Sequence, residues 1–138
     1  WYLIGHDATR DDIRVFRMGR MERPALAPGP DNQYDYDPDF HISDYARREP
    51  WELGDDAPLS CDVRFEFPLA LWAERNGHGE KVEERTGGAV VRRFTVRQTE
   101  PFLRWLQSFG GAAIVEAPAE MRRAQAAMAR ETLEVYGG

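Results

Sequence analysis

An α+β chain in two unequal parts is what this sequence predicts: a few open strands, then a ferredoxin-like unit of βαββαβ order with a C-terminal helix. Three observations carry that reading. Cys61, Val63, Phe65 and Phe67 alternate with Ser60, Asp62, Arg64 and Glu66, the period-two pattern of a strand with one buried face. Phe102, Trp105, Leu106 and Phe109 stand at i, i+3, i+4 and i+7, the apolar stripe of a helix. Gly77, Gly79, Gly87-Gly88, Gly110 and Pro118 punctuate the chain at spacings that separate short elements.

In chain order, Trp1-Tyr2-Leu3-Ile4 and Ile13-Arg14-Val15-Phe16 are β-prone and flank a polar turn, so residues 1 to 26 read as a hairpin with a third extended piece after Gly19. So few strands are marginal in water without a partner sheet. Partner strands are therefore expected upstream. Residues 27 to 59, with their prolines and nine acids, have the composition of a linker, in which Ser43 is expected to N-cap a short helix reaching Arg48. The domain boundary is expected near Leu59.

Residues 60 to 138 form the second domain of this reading. After the first strand, Pro68 opens a short helix that the glycines end, and residues 81 to 97 form a hairpin turning at Gly87-Gly88. Arg92 shares a face with Val90 and Phe94, which implies a bulge or a functional arginine. Thr99 is expected to cap the helix carrying Phe102 and Trp105. A strand around Ile114 and a last helix with Met121, Ala124 and Met128 on one stripe complete the order.

Composition narrows the function classes. Hydrophobic residues at 42% and aromatics at 12% suit a globular chain of 138 residues, enough for one ordinary domain or two small ones. The single cysteine, Cys61, has no disulfide or thiolate partner and sits on an apolar strand face. No apolar run approaches a membrane span. The chain opens at Trp1 without a methionine or basic leader, so it is expected to be trimmed, and cytoplasmic. A net charge of −6 argues against indiscriminate nucleic-acid binding. The charge is unevenly spread, however: residues 1 to 26 are net +1, residues 27 to 59 net −7, and residues 60 to 138 neutral.

Two segments carry a family resemblance. Trp1-Tyr2-Leu3-Ile4-Gly5-His6-Asp7, followed by residues 11 to 21, resembles the motif after which WYL domains are named. Pro101-Phe102-Leu103-Arg104-Trp105-Leu106-Gln107-Ser108-Phe109-Gly110, continuing from Ala113 to Arg122, resembles the C-terminal extension of those proteins, WCX. Asp39-Phe40 with Ser43-Asp44-Tyr45 is similar to the short helix between them. The resemblance implies a bacterial transcription regulator with an N-terminal winged-helix DNA-binding domain, an Sm-like β-barrel (the WYL domain) and the extension. On that plan residues 1 to 26 are the closing barrel strands, and the promoter-binding domain and first barrel strands are missing from this chain. It further implies a nucleic-acid-derived effector, such as single-stranded DNA, sensed through aromatic and basic residues of the barrel.

Strand alternation puts Tyr2 and His6 on one face and Trp1 and Leu3 on the other, which predicts a Trp-Leu core side and an outward Tyr and His. A tyrosine ring stacks on a base or bonds a phosphate. Arg14 and Arg20 share a face with Arg17 opposite, and arginine suits bidentate phosphate contact. The candidate ligand residues are thus Tyr2, His6, Arg14, Arg17 and Arg20, with Arg64, Arg92, Arg93 and Arg97 as secondary contacts. Alternation alone does not gather the three arginines, so a shared pocket needs a bulge, strand twist or a second subunit.

Other chemistry is not expected. Asp35, Asp37 and Asp39 open like a calcium loop, but Phe40 replaces the turn glycine and Ala46 the closing Glu. His41 and His78 are isolated, no Ser-His-Asp or Cys-His set exists, and no cofactor, metal or enzymatic activity is expected. The expected function is a ligand-sensing and dimerisation module, working as a homodimer; the alternative is a dimerisation module without a ligand, joined through the apolar faces around Trp105 and Met128.

Overall fold

The computed structural model describes residues 1–26 and 37–137, which fall into two compact units, Trp1–Glu49 and a second one from Pro50 onward. The architecture is mixed α and β: two antiparallel sheets and four α-helices among the described residues.

The first unit contains strands β1 (Tyr2–Asp7) and β2 (Asp12–Arg17), paired antiparallel from Tyr2↔Arg17 to Asp7↔Asp12. The turn closes through the Arg10 N–H on the Asp7 carbonyl (3.1 Å) and the Thr9 N–H on the Asp7 carboxylate (3.0 Å). Asp11 takes φ +51°, a left-handed conformation that aspartate tolerates better than most residues. No closed barrel is present among the described residues. After β2 the chain turns in a 3-10 turn, Met18–Arg20, instead of a third strand, and Trp1, read as core, is 99% exposed. Helix α1 (Ser43–Ala46) is shorter than expected, and Ile42, not Ser43, is its N-cap. Phe40 stacks on Tyr45 at 5.8 Å and Arg48 lies over the same ring at 5.5 Å. No described residue of this unit is buried. The linker reading of residues 27 to 36, Asp35 included, lies outside the described residues.

The second unit begins at Pro50, nine residues before the expected boundary, because Trp51 and Leu53 are core residues at 3% and 7% exposure. The Trp51 carbonyl accepts the N–H groups of Arg97 (2.7 Å) and Gln98 (3.0 Å), and the Gln98 side chain donates to the Leu53 carbonyl (2.6 Å). Linker composition therefore concealed a segment that an aromatic anchor ties down.

Six elements follow: β3 (Leu59–Phe65), α2 (Leu69–Arg75), β4 (Glu80–Glu84), β5 (Val90–Val96), α3 (Thr99–Gln107) and β6 (Ala113–Ala117), with α4 (Ala119–Tyr136) last. The sheet order is β4-β5-β3-β6, with every neighbour antiparallel. Each helical connection thus passes over one strand. The alternation in β3 is real: Cys61, Val63 and Phe65 are fully buried. Phe67 is not part of it, because the strand ends at Phe65 and the chain turns into α2, leaving Phe67 59% exposed. Gln98, not Thr99, caps α3, and neither side chain makes the cap bond. The stripe holds: Phe102 and Leu106 are fully buried with Leu103 beside them, and Trp105 and Phe109 pack on the core. At Gly79, φ +67°, an added Cβ meets the Arg93 carbonyl at 2.8 Å, so the β4 entry needs glycine.

Arg92 is the polar exception in the core, at 6% exposure. Its own strand runs regularly; the register shifts fall on β4, between Lys81 and Glu83, and at Asp62/Val63 on the β3–β6 ladder. The guanidinium donates from Nε to the His78 carbonyl (2.5 Å) and from Nη2 to the Gly79 carbonyl (2.9 Å). Arg92 is therefore a clamp on the α2–β4 connection through Nε and Nη2, while its Nη1 is buried with no hydrogen-bond partner among the described residues.

Candidate functional site

Directly paired residues of an antiparallel ladder project from the same face of the sheet. The Tyr2↔Arg17 register therefore places Tyr2, Ile4 and His6 on one face with Arg17, Val15 and Ile13. Leu3, Gly5 and Asp7 share the other face with Phe16, Arg14 and Asp12. Alternation counted along each strand separately had grouped Arg14 with Arg20 and set Arg17 apart without saying which of them faces Tyr2. The register decides it: Arg17 joins Tyr2 and His6, and Arg14 does not.

Arg17 is exposed and Tyr2 half-buried. His6, 53% exposed at its side chain, holds the Asp11 carboxylate at 3.0 Å through Nε2, and Asp11 itself is 95% exposed. Arg14, by contrast, has a side chain only 10% exposed and lies 3.7 Å from the Asp7 carboxylate. Arg20 stands exposed in the 3-10 turn beyond the strand, outside the ladder. Of the five candidates, three share one face: Tyr2 and Arg17 are paired at one end of the ladder, and His6 lies four residues along, with Ile4, Val15 and Ile13 on the same face.

The four secondary arginines are engaged within the second unit. Arg93 makes a bidentate pair with Asp62 at 2.7 and 2.9 Å, which holds the Asp62 carboxyl below its ordinary range and raises the guanidinium. Arg64 meets Glu66 (2.9 Å) and Glu116 (3.3 Å). Arg97 donates to the Asp56 carbonyl at 2.7 Å, and Arg92 is the buried clamp. Sequence reasoning missed Arg85, which bridges Glu116 (2.7 Å) and Glu83 (3.1 Å) and is raised by those bonds. The run Glu83-Glu84-Arg85 was its only signal, and a charge run does not name cross-strand partners. Cys61, at zero exposure, has its thiol pushed up to about 12 by burial, with Asp62 adding to the shift. Among the described residues no group of His, Cys, Asp and Glu could hold a metal ion, and no helix is long and apolar enough to cross a membrane.

A family model described as the WCX domain matches residues 57–133, more than half of the chain. The chain belongs to the WCX family. Ahead of the WCX domain, a WYL domain model matches residues 1–26, so the ladder that pairs Tyr2 with Arg17 is WYL sequence and the four-stranded sheet is WCX sequence. Protein PafB of Mycobacterium tuberculosis and of Mycobacterium bovis are each 25% identical to this WCX chain over 122 residues, 88% of it. The chain spans 36% of the length of those relatives. Among solved structures, proteasome accessory factor B/C (PafBC) of Arthrobacter aurescens matches 91% of this chain and 19% of its own at 25% identity, with a TM-score of 0.43.

Proposed function

We propose that this chain is the effector-sensing half of a transcription regulator, acting by binding and not by catalysis. A nucleic-acid-derived anion, single-stranded DNA for example, lands on the WYL face of Tyr2, His6 and Arg17. The observation that carries this reading is the Tyr2↔Arg17 pairing, which sets a stacking surface beside an exposed guanidinium. Arg20 extends the basic rim, and Arg14 braces the turn through Asp7. The arginines of the WCX sheet, each tied to an internal acceptor, have structural roles.

The open two-stranded ladder is read as the closing strands of an Sm-like barrel, completed by residues of a full WYL domain. The strand order of the second unit supports classing it as ferredoxin-like. In this reading a cytoplasmic homodimer couples effector binding to a separate promoter-binding domain, by differential affinity for two arrangements of the subunits. Fluorescence anisotropy with a short single-stranded oligonucleotide, titrated with salt on a protein carrying the complete WYL domain, tests it. Equal affinity of the unaltered protein and its Tyr2→Ala and Arg17→Ala variants overturns the sensor and leaves a dimerisation module.

A further inference from the structure

On the face that carries Tyr2 and Arg17, an anion is already in place. His6 lies four residues along β1 from Tyr2, about 13 Å at the rise of a strand, and its Nε2 meets the Asp11 carboxylate at 3.0 Å. A carboxylate only accepts, so Nε2 carries the proton and donates it. That N–H is the one a phosphate oxygen would take.

Asp11 is free to leave. It stands in the turn at φ +51° with its side chain 95% exposed, and its carboxylate makes no other hydrogen bond or ion pair among the described residues. The other acids of the turn are placed differently: Asp7 takes the Thr9 N–H and lies 3.7 Å from Arg14, and Asp12, opposite Asp7 in the ladder, projects from the far face with it. Of the three carboxylates, Asp11 alone reaches the Tyr2 face.

We propose that Asp11 is a built-in competitor for the effector: its carboxylate occupies the His6 position of the anion site, and an oligonucleotide lying across from Arg17 to His6 binds by displacing it. An exposed ion pair holds little free energy, so a phosphate anchored at Arg17 brings its neighbours against a weak opponent. The inference rests on the effector reading and adds a regulation to it, a contact inside the protein that sets how tightly the strand is held.

Anisotropy titrations of a short oligothymidylate on a protein carrying the complete WYL domain test it. Asp11→Asn removes the charge and Asp11→Gly the whole side chain, and both replacements tolerate the left-handed backbone. Each is expected to raise affinity about threefold, the order of what an exposed ion pair holds. Asp12→Asn removes the same charge from the far face and is expected to gain less, the share of screened repulsion alone. In a His6→Ala background the advantage of Asp11→Asn over Asp12→Asn is expected to vanish. Affinity of Asp11→Asn and Asp11→Gly no higher than that of Asp12→Asn, or an advantage that persists without His6, overturns the competitor; the effector reading then stands if Tyr2→Ala and Arg17→Ala still weaken binding. Binding indifferent to Tyr2 and Arg17 overturns the effector reading and the competitor with it.

Discussion

Tyr2 lies directly opposite Arg17 across the β1–β2 ladder, whereas Arg14, three residues earlier on the same strand, turns to the other face and to Asp7. Two arginines of one strand therefore have different expected roles. In a protein with the complete WYL domain, Arg17→Ala is expected to weaken oligonucleotide binding and to shallow the plot of log affinity against log salt by about 0.7, the share of one phosphate on a single strand. Tyr2→Ala is expected to cost roughly 1–3 kcal/mol with the slope kept, since stacking neutralises no phosphate. Arg14→Ala is expected to leave the slope unchanged. Anisotropy titrations at several salt concentrations on the three variants decide among these outcomes.

In the 138-residue chain alone, the amides of β1 and β2 are expected to exchange far faster than those at the centre of β3. No described residue of residues 1–49 is buried, and a two-stranded hairpin is marginally stable in water. Hydrogen exchange of Ile4 and Val15 against Val63 is the measurement; equal protection would refute the expectation.

Cys61 is expected to resist alkylation in the folded chain at pH 8 and to react fully in denaturant. The thiolate is the nucleophile, and burial holds the thiol up at about 12. Mass spectrometry after iodoacetamide, with and without urea, reads it directly.

The Asp62–Arg93 pair predicts a pH dependence with a definite sign. Because the hydrogen bond from Arg93 lowers the Asp62 carboxyl in the folded state, its contribution is present above the ordinary carboxyl value of about 3.9 and is lost as pH falls through the depressed one. Arg93→Ala should therefore flatten the acid limb of the stability curve, modestly, since the Arg93 side chain is 49% exposed and solvent screens the pair. Urea unfolding between pH 2 and 7 checks this.

Trp105 sits among aromatic rings, 4.5 Å from Trp51, 5.1 Å from His78 and 5.2 Å from Phe109 between ring centroids. Trp105→Ala is expected to cost about 3 kcal/mol, the low end for a core tryptophan because the residue is only half-buried. The midpoint of urea unfolding measures it. Met128, of the last helix, is partly buried against the same core.

How much was legible in advance differs by element. The buried faces of β3 and α3 were plain, since periods of two and of 3.6 residues appear directly in the order of apolar side chains. The WCX match begins at residue 57, close to the expected boundary, but the compact unit also takes in Trp51; prolines and acids describe local chain preference, while the placement of Trp51 depends on Trp105 and Phe102, more than fifty residues away. Arg92 was noticed as an anomaly on an apolar face, but its acceptors are backbone carbonyls at 78 and 79, which no side-chain pattern reveals.

The sequence by itself determined the α+β class, the order of strands and helices in the second unit, its core-facing residues and the membership in a WYL and WCX lineage, because local periodicity and motif are properties of neighbours along the chain. Only the tertiary structure decided that Arg17 and not Arg14 accompanies Tyr2, that Arg93 belongs to Asp62, and that Asp11 meets His6. Each of these depends on register between segments, and a shift of one residue in a ladder moves every side chain to the opposite face.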